Sequence, residues 1–397
     1  LISDFSMRAL TARVAYTPLT TVPQPLLLID EGKIVELSSR VQRDLPSGCE
    51  VLDLGDSILA PGLIDLHLHG GAGHDVMDAN SDSLPCIERL LGQHGVTTYF
   101  PTTMTAPEDQ IRAALDRLAR AIASAENAGG EGARPRPAGI HLEGPFLSPV
   151  RRGVHPPEQL RRPTLPLFEK FWQAAQGRIR LLTIAPELEG AEEVIAEATK
   201  RGVCVSLGHS DADADTAKSA VGAGARHATH TFNAMRPLGH RDPGLLGVIL
   251  AEPGISADII ADGIHVNPQV VRLFLRAKGP DHSVLISDAT SATGMPDGRY
   301  RLGPLEVEVR DGKCTSDGRL AGSVLTLDRA VRNVMAFAGW PLQQALRSAT
   351  FNPAKVAGLR GQRGVLMPGA DADIVVLSPA GEVRQTFVKG VAAQNSH

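Results

Sequence analysis

Through the middle of the chain, short apolar runs alternate with stretches whose apolar positions recur every three or four residues. The runs cover 63–69, 96–102, 138–143, 180–186, 203–209, 227–232, 256–262 and 283–288, and amphipathic helical stretches at 108–125, 192–200, 211–223 and 268–277 lie between many of them. Strand alternating with helix predicts a parallel sheet. Eight such strands predict closure into a (β/α)8 TIM barrel rather than an open doubly wound sheet, so the expected class is α/β. No G-x-G-x-x-G opens a helix after the first run, which argues against a dinucleotide-binding fold.

The two ends read differently. Residues 10–16, 25–37 and 50–59 are aliphatic or β-branched and are broken by turns such as Asp30-Glu31-Gly32. Residues 373–377 and 383–388 flank the turn Pro379-Ala380-Gly381. Both ends are expected to form one small β domain, residues 1–58 with 360–397, around a barrel of residues 59–359. Two segments break the barrel rhythm. The Gly- and Pro-rich stretch 127–137 is expected to be a surface loop. The long segment 289–322 carries a hairpin signal at Asp311-Gly312. It follows the last strand on the side where barrel active sites lie, so a lid or rim is expected there.

Composition narrows the function. Hydrophobic residues make up 43% of 397, enough for a large buried core, and the 40 glycines and 28 prolines are spread over separate turns rather than one low-complexity tract. The net charge of −4, with no long basic run, argues against nucleic-acid binding. Cys49, Cys86, Cys204 and Cys314 are far apart and form no C-x-x-C, which fits a reducing cytoplasm. No apolar run is long enough to cross a bilayer. The opening LISDFSMRALTARV lacks the apolar core and small-residue cleavage site of a signal peptide, and Met7 is a candidate natural start.

Several of the 13 histidines fall at the ends of the apolar runs, where barrel enzymes carry catalysis. His67 and His69 close the first run as H-L-H; residues two apart share a strand face, so both rings can approach one metal. Glu143 ends the third run in H-L-E-G-P, and a carboxylate there needs a cation or an arginine. His209 ends the fifth run and His230 lies in the sixth. Each alone is as readily a satisfied core histidine, but with Glu143 they make an N/O ligand set with room for water. His141, deeper on the face of Glu143, and His227, out of phase with His230, read as core residues. Asp288 ends the eighth run in L-I-S-D-A-T, placed to take a proton from water and pass it on. His155 and His265 lie on loops after the third and seventh strands; His74, His94, His240, His282 and His397 have no persuasive setting. The fourth run, L-L-T-I-A-P-E, ends without a lysine, so any role bridging two metals falls to Glu143.

The stretches PGLIDLHLHG, GIHLEGPF, GVHP, TIAPE, GHSDA, HTFNAM, DGIHV, ISDAT, ATFNPAKVAGL and PGADADIVVL span nearly the whole chain. In this order they resemble the N-acetylglucosamine-6-phosphate deacetylases of the amidohydrolase superfamily. The resemblance implies a barrel plus a small β-sandwich domain built from the N- and C-terminal segments. It implies Glu143, His209 and His230 as main metal ligands, with His67 and His69 making a second metal plausible. The cofactor would be one or two divalent metals, zinc first, with iron, manganese or cobalt as alternatives. It makes Asp288 the general base and acid and His155 the partner of the acetyl carbonyl. It puts Asn233 and His265 near the sugar or its phosphate. Arg241 resembles the family arginine that reaches the phosphate in a neighbouring subunit, which implies a homodimer. The implied reaction is removal of the N-acetyl group from N-acetylglucosamine 6-phosphate, in the cytoplasm. The alternatives are the N-acetylgalactosamine 6-phosphate reaction, an N-acyl-amino-acid hydrolase or a deaminase. A barrel kept as a binding module is disfavoured, because it would be expected to have lost ligands.

Overall fold

A computed structural model describes residues 7–127 and 133–393. Residues 1–6, residues 128–132 of the Gly- and Pro-rich segment, and His397 lie outside the described residues.

Eight parallel strands form a ring in chain order: β1 (Leu63–Leu68), β2 (Val96–Thr103), β3 (Ile140–Glu143), β4 (Ile179–Ile184), β5 (Cys204–Leu207), β6 (His227–Ala228), β7 (Ala257–Ile260) and β8 (Ser283–Ile286). Parallel pairing runs from β1 through β6, and again from β7 to β8. Backbone bonds from Ala228 to the Ser256 carbonyl and from Thr231 to the Asp258 carbonyl join β6 to β7. The ring closes where Asp288 N–H donates to the His67 carbonyl and Leu68 bridges Ala289. Every residue of β1, β2 and β3 is buried, as strands covered outside by helices and inside by the barrel's own side chains must be.

The helices follow from local chemistry. In the helix Glu108–Asn127, Ile111, Ala114, Leu115, Leu118, Ala119 and Ile122 make one buried stripe. Between β5 and β6, the Asp213 carboxylate caps the helix Ala214–Ala223 by accepting the Thr216 N–H. Asn267 caps the helix Pro268–His282 in the same way, through the Gln269 N–H. The sixth run is strand for only two residues. The chain leaves the extended region at His230, where φ is +31°, so a six-residue strand could not form there.

The termini build two sheets. One pairs Lys33–Ser39, Pro25–Asp30, Met7–Thr11 and Glu50–Asp53. The other runs Val391–Ala392, Val383–Val388, Ile374–Leu377, Ile58–Pro61, Val14–Tyr16 and Thr21–Pro23, and so joins both ends of the chain. Leu10, Leu27 and Ile34 of the first sheet pack with Leu59, Ile374 and Phe387 of the second in one apolar core, which makes a sandwich. After β8 comes a four-stranded antiparallel meander, Gly298–Leu302, Leu305–Arg310, Lys313–Ser316 and Arg319–Leu320, with Asp311-Gly312 as its middle turn. It is larger than the single hairpin expected, because each strand is too short to signal itself. All four cysteines are free, and no described helix is long and apolar enough to cross a membrane.

Sandwich and barrel meet at a charge network. Arg136, beside β2, donates to Asp371 at 2.9 Å and to both oxygens of Asp373, at 2.8 and 3.0 Å. Arg363 and Lys33 also reach Asp371. Removing the buried guanidinium strands the carboxylate of Asp373. Arg136→Ala should therefore lower the unfolding free energy by about 3–5 kcal/mol, read as a fall in the urea midpoint.

Candidate active site

The strand ends of the barrel converge on Glu143, which is 2% exposed. Its two carboxylate oxygens face opposite ways. Oε1 lies 3.4 Å from His209 Nε2 and 3.2 Å from His230 Nε2. Oε2 lies 3.4 Å from His67 Nε2, 3.3 Å from His69 Nε2 and 3.7 Å from His155 Nε2. Asp288 Oδ1 closes the second side, 3.5 Å from His67 and 3.4 Å from His69. The rings also touch one another: the His67 and His69 Nε2 atoms are 3.2 Å apart, and those of His209 and His230 are 3.0 Å apart.

Hydrogen bonds on the far side of two rings decide which nitrogen is bare. His69 Nδ1–H donates to the Thr102 carbonyl at 3.0 Å, and His209 Nδ1–H donates to the Arg151 carbonyl at 3.0 Å. A carbonyl only accepts, so in the neutral rings both Nε2 atoms are lone pairs aimed at a carboxylate. Such an arrangement is repulsive unless positive charge lies between them. Protons or a cation can supply it, and this donor set of imidazoles and carboxylates fits a divalent metal. His67, His69 and Asp288 form one group able to hold an ion; Glu143, His155 and His209 form another.

The electrostatics follow. Burial raises the Glu143 carboxyl, but His67, His209 and His230 outweigh it and hold it well below the usual range. Burial likewise raises Asp288, while His67 and His69 pull it down to about 2. Burial lowers His69 and His230, yet the carboxylates around them lift His69 to about 10 and His230 to about 9. His155 is different. Burial and the neighbouring His209 keep it well below the ordinary value. Its Nδ1 faces the Thr105 hydroxyl at 2.8 Å and the Thr105 N–H at 3.4 Å, and its Nε2 is on the Glu143 side.

Above this cluster is a cavity of about 210 Å³, lined among others by His69, Glu143, His155, His209, His230, Asn233, His265 and Asp288. Asp262 accepts His265 Nδ1–H at 2.7 Å and fixes that ring. Arg241 lies elsewhere, exposed on the loop after β6 and not among the cavity residues. His141 sits deeper: its Nδ1–H donates to the Leu66 carbonyl, and the Thr183 hydroxyl donates to its Nε2 at 2.7 Å.

Several contributors escaped the sequence reading. Met104, Val154, Leu302 and Leu320 also line the cavity, the last two reaching it from the meander, and an apolar residue on a short strand gives no functional signal. At Gly322, φ is +57°, and a Cβ would stand 2.5 Å from Thr290 and 3.0 Å from the Asp288 carbonyl; no periodic pattern marks it. Asp258 could have been noticed, as a carboxylate inside an apolar run.

A search for relatives agrees with this architecture. The amidohydrolase family model matches residues 58–393. The N-acetylglucosamine-6-phosphate deacetylase of Bacillus subtilis is 39% identical over 363 residues, covering 91% of each chain. The N-acetylgalactosamine-6-phosphate deacetylase of Escherichia coli O157:H7 is 37% identical, covering 92% of this chain and 97% of the relative. A mutant N-acetyl-D-glucosamine-6-phosphate deacetylase from Mycobacterium smegmatis, solved with N-acetyl-D-glucosamine-6-phosphate, superposes with a TM-score of 0.91 at 34% identity. That match covers 98% of this chain and 100% of the other. The chain belongs to the amidohydrolase family, whose members are metal-dependent hydrolases. Within it, the chain falls among the N-acetylglucosamine-6-phosphate deacetylases.

A cation must displace the protons that the carboxylates hold on His69 and His230. The apparent affinity for a divalent cation should therefore rise with pH and level off only near the values of about 9 for His230 and about 10 for His69, as those protons become easier to remove. Chelator competition at several pH values measures this, and a flat profile would contradict the ligand set.

Proposed function

We propose that this chain hydrolyses the N-acetyl group of N-acetylglucosamine 6-phosphate, giving glucosamine 6-phosphate and acetate. One observation carries the mechanism: a buried glutamate, with a pair of imidazoles on each oxygen, lies at the floor of a cavity beside an ionised Asp288.

His67, His69, Glu143, His209 and His230 would hold one or two divalent cations, zinc first. A bound cation supplies a lowered pKa for water and a polarised acetyl carbonyl. Asp288, ionised at neutral pH, accepts a proton from the attacking water. As the carbonyl carbon becomes tetrahedral, the Nε2–H of His155 donates to the developing oxyanion. Protonated Asp288 then gives its proton to the leaving nitrogen, and acetate departs. Asn233 and His265 orient the sugar phosphate. The cavity lining includes no Lys or Arg, whereas a phosphate dianion calls for one. Arg241 is exposed and has no partner among the described residues. This supports a homodimer in which Arg241 reaches the phosphate held by the other subunit. A cytoplasmic location suits a phosphorylated sugar substrate.

The E. coli relative favours a second reading, in which the galacto epimer is the substrate. Acetate release from both epimers, with the purified protein and added divalent metal, distinguishes them. The gluco substrate should have the higher kcat/KM, and no release from either with any metal tested would defeat the proposal. Asp288→Asn should lower kcat by about 10²–10⁴-fold while KM stays within a few-fold. Arg241→Ala should raise KM for the phosphorylated substrate with little change in kcat; equal rates on phosphorylated and unphosphorylated sugar in the parent would remove the phosphate clamp.

A further inference from the structure

The rings around Glu143 are not all anchored alike. His69 and His209 are fixed through Nδ1–H bonds to the Thr102 and Arg151 carbonyls. His230 has no such anchor: its Nδ1 is buried without a partner among the described residues. Its ring must therefore be aimed by its backbone, which holds a left-handed φ of +31° that a histidine rarely adopts.

That backbone is held from β7. Asp258 is 1% exposed and pairs with no Lys or Arg among the described residues. Its Oδ1 accepts the His230 N–H in a short hydrogen bond, and its Oδ2 accepts His227 Nε2–H at 3.0 Å. The Asp258 carbonyl also accepts the Thr231 N–H at 2.9 Å. His227 is fully buried and does not line the cavity, so its role lies with Asp258.

We propose that the buried Asp258–His227 pair is a positioning device for His230. His227 fixes the carboxylate, and the carboxylate fixes the turn that presents Nε2 to Glu143 and His209. Carboxylates behind metal-bound histidines commonly grip the ring; here the grip is on the peptide N–H. The proposal rests on the reading of His230 as a metal ligand.

The test measures cation affinity by chelator competition and the visible spectrum of the Co²⁺-loaded protein. D258A should raise Kd by about 10–100-fold, change the Co²⁺ spectrum and lower kcat, with KM within two-fold of the parent. D258N keeps an oxygen for the His230 N–H and should recover most of the affinity. A D258A protein that melts earlier yet keeps the parental Kd and spectrum would overturn the proposal. Should D258A not fold, H227F takes its place, keeping the ring volume and removing the donor that fixes Asp258. The expectation is again a raised Kd, and a parental Kd overturns the proposal. A parent that binds no divalent cation would instead defeat the metal reading itself.

Discussion

The site depends on bringing four imidazole nitrogens against one carboxylate inside a closed barrel. Glu143 is buried, with His209 and His230 against one oxygen and His67 and His69 against the other, where His155 also approaches. Isolated, such a carboxylate would be prohibitively costly to bury, and so would lone pairs facing it. The arrangement is tolerable only with positive charge at its centre. Affinity for a cation is thus the other face of the folding cost, and much of the surrounding structure holds these groups together against their own repulsion.

The holding is done by backbone as much as by side chains. His209, His230 and Asp288 all adopt positive φ, at +47°, +31° and +50°, each just past the end of a strand. Such residues cost of order 1–3 kcal/mol each and persist only where neighbours over-determine them. The neighbours are visible. Asp288 N–H bonds to the His67 carbonyl, and its own carbonyl accepts the Ser323 N–H. Gly322 leaves the space that any side chain would take from the Asp288 carbonyl. Asp258 holds His230 from the adjacent strand. The barrel supplies rigid strands, and sharp turns at their ends aim the chemistry inward. The meander closes part of the rim, with Leu302 and Leu320 in the cavity wall.

Much of this was legible along the chain. Parallel strands buried on both faces are continuous apolar runs, and each of the eight barrel strands coincides with an expected run, two of them extending one residue beyond it. Ionisable residues that end such runs stand out against the largely apolar residues before them; Glu143, His209 and Asp288 were conspicuous for that reason. The hairpin at Asp311-Gly312 was legible from its turn, but the six-residue helices after β8 and the outer strands of the meander were not, since elements of two to six residues are set by tertiary contacts rather than by periodicity. His230 shows the same limit within the site: its run suggested continuous strand, but the strand ends at Ala228 and His230 sits on the turn that follows.

The sequence by itself determined the alternation that makes a barrel, the residue types able to bind a cation, and the family motifs that order them. Only the tertiary structure decided which oxygen of Glu143 meets which rings, that His155 turns Nε2 toward Glu143, and that Asp258 grips the peptide of His230. The physical reason is separation. These contacts join residues from 12 to 87 positions apart, most of them 28 or more. A linear pattern reports which groups are present and which face of a strand they occupy. Their distances and tautomers are fixed only when the ring of strands closes.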